Sequence, residues 1–197
     1  MQKPARVRIL DAAHELMLTI GLARATTKEI AKAAGCSEAA LYKYFASKED
    51  LFVTVLKERL PRLNPLLSRL AEDPGERSVE ENLTEIAREA ALFYAQSFPI
   101  AASLYAEPKL KQRHDAAMRE MGRGPHMPIR GLDAYLRAEQ AAGRISPEAD
   151  TYAAASLLLG ACAQRAFAYD MTEDGKPPQS VEEFAASLAR TLLRGIG

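Results

Sequence analysis

The sequence predicts an all-α protein of about nine helices, and three observations support this prediction. Apolar residues recur at the three- and four-residue spacing of amphipathic helices over most of the 197 residues. Signatures of helix N-termini, in which a Ser or Thr precedes an acidic residue by three positions, occur at Thr26, Ser47, Ser78 and Ser180. Runs of alternating β-branched residues are missing from the sequence, so no strand is predicted.

The first sixty residues are predicted to form a three-helix domain and the start of a fourth helix. An apolar stripe predicts a first helix from about Ala5 to Ile20, which Gly21 ends. Thr26 begins a short helix that ends at Gly35, and Ser37 caps a second short helix that ends near Phe45. Ser47 begins the long fourth helix, which leads out of the domain.

The domain boundary is predicted near Leu60, because Pro61 and Pro65 interrupt the fourth helix. This gives an N-terminal domain of residues 1–60 and a helical C-terminal domain of residues 61–197. Pro99, Pro108 and the Gly122–Pro128 segment are expected to break up the middle of the second domain. Its other helices are predicted over residues 78–98, 129–142, 147–169 and 181–193, with Pro147 in the first turn of the third of these.

Composition excludes several classes of protein. Hydrophobic residues make up 48% of the chain, which is enough for a core, and the formal net charge is zero. The first sixty residues carry ten basic and seven acidic side chains, and the remainder carries sixteen and nineteen, so the N-terminal domain is mildly basic. The two cysteines are far apart in the sequence, so no disulfide framework is predicted. The sequence has no cluster of Cys and His at metal-ligand spacing, so no metal site is predicted, and no cofactor is expected. No signal peptide or membrane span is predicted, which favours the cytoplasm.

The segment Thr27–Tyr44 has the residue pattern of a helix-turn-helix. Two helices that cross at a steep angle over a short turn need a small residue in the first helix, which Ala31 provides. The turn needs a residue that tolerates positive φ, which Gly35 provides, and the second helix needs the cap Ser37. The apolar positions expected to hold the pair together are Ile30, Ala34, Cys36, Leu41 and Tyr44. An ordinary helical hairpin is the alternative, but the full combination favours DNA binding.

These residues, together with Leu41-Tyr42-Lys43-Tyr44-Phe45 and Ser47-Lys48-Glu49-Asp50-Leu51, resemble the DNA-binding domain of the tetracycline-repressor (TetR) family. The resemblance covers roughly residues 5–56, and beyond them only the helical layout agrees. It implies a dimeric bacterial transcription repressor that binds double-stranded operator DNA and is released by a small-molecule effector.

The resemblance also implies a DNA-binding surface. Thr27, Tyr42, Lys43, Tyr44 and Lys48 would contact phosphates or the groove wall, and the segment Ser37 to Ala40 would face base edges. A basic arm would come from Lys3, Arg6 and Arg8. The full set of candidate DNA-binding residues is Thr27, Lys28, Ser37, Glu38, Ala39, Ala40, Tyr42, Lys43, Tyr44 and Lys48.

The recognition helix departs from the family at its start, where a basic residue and a Gly are usual but Glu38 and Ala39 stand here. Glu38 repels phosphate, yet it is able to accept a hydrogen bond from a cytosine amino group. Stabilisation of the helix N-terminus is an equally weighted explanation of Glu38. Ala39 and Ala40 offer only methyl contacts, so direct base readout is expected to be sparse.

The C-terminal domain is expected to dimerise and to bind the effector. The helix over Ala153–Ala163 is apolar on almost every side, so it is expected to pack against a second subunit as well as its own domain. The alternative is that it is a central, buried helix of a monomer. The resemblance agrees, because family members pair through their last two helices. The candidate interface residues are Leu158, Cys162, Phe184, Leu188 and Leu192. The candidate walls of a pocket for a hydrophobic or aromatic effector are Phe93, Phe98, Tyr105, Met118, Met121, Met127, Tyr135, Tyr152 and Phe167.

Two other classes of function stay open at this point. A DNA-binding protein without an effector would share the N-terminal pattern and differ by a filled C-terminal core. A helical-bundle enzyme is disfavoured, because the sequence has no nucleophile elbow, zinc-protease motif, paired Glu-x-x-His motif or phosphate-binding Gly-rich loop. No catalytic residue is therefore predicted.

Overall fold

The computed structural model describes residues 3–22, 24–59, 63–106, 108–120, 122, 124–169 and 177–195, and these contain ten helices and no strand. The all-α prediction is confirmed, with one helix more than the nine or so expected. The helices are α1 (Ala5–Thr19), α2 (Thr27–Ala33), α3 (Glu38–Leu41), α4 (Lys48–Glu58), α5 (Leu63–Glu72), α6 (Val79–Tyr105), α7 (Pro108–Glu120), α8 (Met127–Ala141), α9 (Thr151–Tyr169) and α10 (Val181–Arg194).

The helices group into two compact units. The N-terminal unit combines Met1–Leu60 with Gln96–Arg123, and in it α1 packs on α2 and α4, α2 packs on α3, and α4 packs on α7. The C-terminal unit combines Pro61–Ala95 with Gly124–Gly197, and in it α8 packs on α5 and α9, and α9 packs on α10. The predicted domain limits, residues 1–60 and 61–197, stay a prediction. The grouping by contacts places α7 and the end of α6 with the first unit.

Side-chain caps fix where most of the predicted helices begin. The hydroxyl oxygen of Thr26 accepts from the backbone N–H of Glu29, whose carboxylate accepts in return from the Thr26 N–H. Ser180 and Glu183 form the same reciprocal pair at α10, as do Ser78 and Glu81 at α6. Donation by the Thr26 backbone and hydroxyl holds the pKa of Glu29 below its ordinary value. The capping signatures are therefore confirmed as helix starts.

Three proline predictions have different outcomes. Pro99 does not end α6, which continues to Tyr105, since one proline removes a single backbone donor from a long helix. Pro147 does not begin α9. It lies in a turn, and Asp150 caps the helix by accepting from the N–H of Ala153 at 2.9 Å. α4 and α5 are separate helices, as the predicted break requires, although Leu60 and Pro61 lie outside the described residues.

The core of the C-terminal unit lies between α5, α6, α8, α9 and α10. Its fully buried side chains include Leu67, Leu83, Tyr135, Leu158 and Cys162. The Cys162 thiol donates to the carbonyl of Ala87 at 3.5 Å. Leu158 and Cys162 are both 0% exposed within one chain, so their assignment to a dimer interface is wrong. The two side chains lie on the face of α9 that packs against its own unit.

A buried polar group lies within the same unit. Glu139 of α8 is 0% exposed, and its Oε2 forms an ion pair with Nε of Arg144 at 2.5 Å. Arg144 also donates from Nη1 to the carbonyl of Gly75 at 3.0 Å, which ties the end of α8 to the turn before α6. Burial and the Glu139 carboxylate raise the pKa of the neighbouring Tyr135. This pair is the one place in the described core of the unit where a fully buried side chain carries a formal charge.

Candidate nucleic-acid interface

The turn between α2 and α3 depends on Gly35. Its φ is +65°, a conformation that residues with a Cβ adopt only at a cost. The N–H of Gly35 donates to the carbonyl of Lys32 at 3.2 Å, and the N–H of Cys36 donates to that of Ala31 at 2.9 Å. These two bonds satisfy the last carbonyls of α2 in a Schellman motif. The chain can therefore turn sharply at Gly35 and begin α3 three residues later, at Glu38.

The inner faces of the two helices are apolar and closely packed. Ile30 and Leu41 are fully buried, and Ala31 is 2% exposed, which confirms its place at the close helix contact. Tyr44, which was expected in this contact, is 48% exposed, and Phe45 at 2% takes the buried position. The chain after Leu41 continues in tight turns, so the buried side chain falls one residue later than regular helical spacing predicts.

The candidate DNA-binding residues lie on the outer side of this pair of helices. Ser37 caps α3, because its hydroxyl oxygen accepts from the N–H of Ala40 at 3.1 Å. Tyr42 is 49% exposed although it is aromatic. Seven candidates are exposed: Lys28, Ser37, Glu38, Ala39, Tyr42, Lys43 and Tyr44. Three are half-buried: Thr27, Ala40 and Lys48.

A hydrogen-bond chain that the sequence did not predict connects α2 to α3 on this side. The hydroxyl of Thr27 donates to Oε1 of Glu38. The hydroxyl of Tyr42 donates in turn to Oγ1 of Thr27 at 3.5 Å. The three residues are 11 and 15 positions apart, so only the folded turn brings them together. Glu38 is thus held by a neighbouring helix rather than projecting alone into solvent.

Three basic side chains near this surface are held by hydrogen bonds or ion pairs within the protein. Lys48 donates from Nζ to the carbonyl of Leu22 at 2.8 Å, which fixes its side chain at the start of α4. Arg6 forms a two-bond ion pair with Glu58, at 2.9 and 2.7 Å. Arg8 donates from Nε to the carbonyl of Ala34 at 3.0 Å.

Lys3 pairs with Asp11 at 2.9 Å and, with Arg59, holds the pKa of that carboxyl below its ordinary value. Arg6 and Arg8 are likewise engaged within the protein. The expected basic arm of Lys3, Arg6 and Arg8 stays a prediction, in which these side chains would exchange their present partners for phosphates. Each of the three side chains forms an ion pair or a hydrogen bond with another residue of the N-terminal unit.

The predicted effector residues are divided between the two units. Phe98, Tyr105 and Met118 belong to the N-terminal unit, and the other described candidates belong to the C-terminal unit. Exposures of 68% for Tyr105, 54% for Tyr152 and 61% for Phe167 contradict a place in the wall of an enclosed pocket. Met127 is 38% exposed, Phe93, Phe98 and Met118 are half-buried, Tyr135 lies in the core, and Met121 lies outside the described residues.

Two open clefts in the C-terminal unit are lined mainly by polar and charged residues. One is lined by Arg77, Ser78, Glu80, Glu81, Thr84, Glu85 and Arg88, and the other by Pro65, Leu66, Arg69, Glu85 and Glu89. No predicted effector residue lines either cleft. Among the described residues, His, Cys, Asp and Glu side chains form no group of three that could hold a metal ion.

An apolar stripe on α9 faces away from the core of its own unit. Leu157 is 65% exposed, and Ala153, Gly160 and Phe167 continue the stripe at three-, four- and seven-residue steps. A Cβ added at Gly160 would meet no atom within 4 Å. Phe184, Leu188 and Leu192 of α10 are half-buried and pack at the edge of the same core. In the described parts of the chain, no helix has both the length and the apolar character that a bilayer crossing requires.

Comparison with known proteins places this arrangement in a family. The model of bacterial regulatory proteins of the tetR family matches residues 9–55, which include the turn and both of its helices. The HTH-type transcriptional regulator UidR of Escherichia coli is 32% identical over 162 residues, covering 80% of this chain and 77% of UidR. The fatty acid metabolism regulator protein of Bacillus subtilis is 31% identical over 77 residues, a match that spans 38% of its length.

Solved structures agree on the fold of the whole chain. A crystal structure of the transcriptional regulator FadR from Bacillus subtilis in complex with stearoyl-CoA has a TM-score of 0.69 and 21% identity, covering 97% of this chain and 99% of that one. At this identity the likeness shows the fold. The identity to UidR extends over both units, well beyond the helix-turn-helix. The chain therefore belongs to the tetR family of bacterial regulatory proteins and is a transcriptional regulator.

Proposed function

We propose that the protein is a dimeric repressor that binds double-stranded operator DNA through α3 and leaves it when a small hydrophobic or aromatic effector binds. The observation that carries this proposal is the outer side of the α2–α3 pair. Two tyrosines and two lysines, Tyr42, Tyr44, Lys28 and Lys43, are exposed there beside a four-residue helix whose inner side is fully packed. Such a helix is short enough to enter a major groove with its flanking residues on the phosphates.

The family resemblance suggests a role for each residue on this surface. Lys28 and Lys43 would contact phosphates, with Thr27 at the start of α2 and Tyr42 and Tyr44 at the groove wall. Lys48 is held by the Leu22 carbonyl and would meet the backbone at the start of α4. Ser37 through Ala40 would face base edges. No catalytic role is proposed for any residue.

Dimerisation is proposed through α9 and α10. The exposed stripe of Leu157, Gly160 and Phe167 replaces Leu158 and Cys162 as the predicted contact, with Phe184, Leu188 and Leu192 at its edge. A stripe of this kind is costly to leave in water, and Gly160 allows a second helix to approach closely. A symmetric pair would also hold two recognition helices one DNA turn apart, about 34–36 Å. The cytoplasm, where the DNA is, is the proposed location.

The effector is proposed to be hydrophobic. The Bacillus subtilis FadR structure holds stearoyl-CoA, a ligand with a long apolar chain, and shares this fold. Stearoyl-CoA is therefore a reasonable first probe. Its binding would have to distinguish two conformations of the regulator, because a ligand shifts an equilibrium only by its differential affinity for the two states.

The test is a mobility-shift assay on DNA flanking the protein's own gene, with and without stearoyl-CoA, at several salt concentrations. A salt-dependent complex with one fragment, and none with a scrambled fragment of equal length, supports the DNA-binding proposal. Loss of that complex on adding stearoyl-CoA supports the effector class. If no flanking or selected duplex is bound, the proposal is contradicted.

A further inference from the structure

The hydrogen-bond chain at the start of α3 bears on how operator DNA is selected, and this inference rests on the proposed function. Thr27 is the first residue of α2 and Glu38 is the first residue of α3. Each is held in a side-chain hydrogen bond to the other on the proposed DNA surface. Tyr42 donates to the same Thr27 oxygen, so the three side chains form one connected group.

The Thr27 hydroxyl has one proton, and two acceptors would compete for it in a DNA complex. In the free protein the acceptor is the Glu38 carboxylate. In the proposed complex the acceptor is a backbone phosphate beside the start of α2. A hydroxyl cannot donate its single proton fully to both groups. Docking on the phosphate therefore takes the Thr27 proton away from Glu38.

A carboxylate that loses its donor next to the DNA needs another donor, because phosphates repel it and accept hydrogen bonds as it does. Its own helix offers little help. Ala39 and Ala40 follow Glu38 and have no polar side-chain atoms. The Ser37 oxygen accepts from the Ala40 N–H, and its hydroxyl proton is left for the base edge that Ser37 is proposed to face. Lys43 is exposed and donates only, which suits a phosphate. The remaining donors at the groove floor are the exocyclic amino groups of bases.

We propose that Glu38 is a specificity-determining residue that accepts a hydrogen bond from the N4 amino group of a cytosine, and that Thr27 releases it on docking. Cytosine fits a carboxylate better than adenine does. The adenine amino group lies between two acceptors, its own N7 and the thymine O4, whereas the cytosine amino group has an acceptor on one side only. The same carboxylate repels the N7 and O6 acceptors of a guanine at that position.

The experiment selects duplexes of roughly 30 base pairs from a randomised library with the full-length protein. Wild type, Glu38→Gln, Thr27→Val and Glu15→Gln are compared. Glu15 is an exposed acid on α1, so its variant removes the same charge without touching the connected group. Circular dichroism confirms that each variant is folded.

The wild type and Glu15→Gln are expected to enrich the same cytosine in each half-site, preferred about tenfold over other bases. Glu38→Gln is expected to lose that preference or to exchange it for adenine, which a glutamine amide recognises with both of its groups. Thr27→Val is expected to bind every duplex more weakly and to keep the cytosine preference.

The outcomes separate this inference from the function on which it rests. If the wild type enriches a sequence and Glu38→Gln enriches the same one with the same base ratios, Glu38 only stabilises the helix and the inference is overturned. If the wild type enriches no sequence at all, the proposed DNA-binding function fails, and the inference fails with it.

Discussion

Replacing Arg144 by alanine is expected to destabilise the protein strongly, because it leaves the Glu139 carboxylate buried without its cation. Glu139 is 0% exposed, and Arg144 lies 2.5 Å from it with its own side chain 32% exposed. Removing one partner of a buried ion pair typically costs about 3–5 kcal/mol. Arg144 is partly in water, so the low end of that range, about 3 kcal/mol, applies here.

A second loss adds to the first. Arg144 also donates to the carbonyl of Gly75 at 3.0 Å, and a hydrogen bond of this kind contributes about 1 kcal/mol. The total is about 4 kcal/mol in the free energy of unfolding. For a chain of this length each kcal/mol lowers Tm by about 2–4 °C, so Tm is expected to fall by roughly 8–16 °C.

The assay is urea unfolding followed by circular dichroism, together with thermal melts, at pH 7. Arg137→Ala is the matched control. Arg137 lies on α8, the helix that carries Glu139, and pairs with Asp133 at 3.1 Å, but its side chain is 68% exposed. Its loss is expected to change the free energy of unfolding by less than about 1 kcal/mol. The double variant Glu139→Gln with Arg144→Ala is expected to recover part of the loss, because no charge is then left buried.

One result would refute this reasoning. If Arg144→Ala unfolds within 1 kcal/mol of the wild type, as Arg137→Ala does, then Arg144 does not compensate the Glu139 charge. Failure of the double variant to recover any stability would point instead to lost packing of the arginine side chain.

Four further predictions concern other parts of the chain. Lys43→Ala is expected to weaken DNA binding on all sequences alike and to reduce the slope of log K against log salt by about 0.9 per lost phosphate contact, measured by titration. Leu157→Glu is expected to give monomers by analytical ultracentrifugation, since it places charge in the α9 stripe; dimers of unchanged affinity would argue against that stripe. Gly35→Ala is expected to lower the free energy of unfolding by about 1–2 kcal/mol through its positive φ alone, as its surroundings are empty. The backbone N–H and hydroxyl of Ser180 hold the pKa of Glu183 below its ordinary value of 4.5. The stabilisation of the folded state by this carboxylate is therefore complete above pH 4.5 and is lost as the pH falls through the lower pKa of the folded protein. Glu183→Gln should therefore destabilise the protein most near neutral pH and least in acid, which urea unfolding at several pH values would measure.

Local signals in the sequence predicted most of the fold. The hydroxyl caps at Thr26 and Ser180 needed only residues three positions apart, and both were confirmed. The positive φ of Gly35 was predictable for the same reason, since the turn itself requires it. The predictions that prolines end or begin a helix were wrong where contacts with the rest of the protein decide the helix limits. α6 tolerates Pro99 within 27 residues of helix, and Asp150 is a better cap than the Ser146-Pro147 pair.

The less predictable features depend on which way a helix faces. Leu157 and Leu158 are adjacent and chemically identical, yet one is 65% exposed and the other 0%. Apolar composition all round α9 gave no basis for choosing between them. The Thr27–Glu38 hydrogen bond joins residues on two helices, so its existence depends on the angle of the turn. Sequence spacing predicted a DNA-binding surface and its residues, but it could not show which side chains on that surface restrain one another.

The two cysteine thiols of the chain differ in exposure, so one of them can be labelled selectively without mutation. Burial raises the pKa of Cys162 to about 12 and removes it from solvent, so a maleimide dye has no thiolate to attack there. Cys36 is partly exposed at the turn that leads into α3. A single fluorophore would consequently attach beside the proposed DNA surface, where its emission would change as duplex arrives or departs.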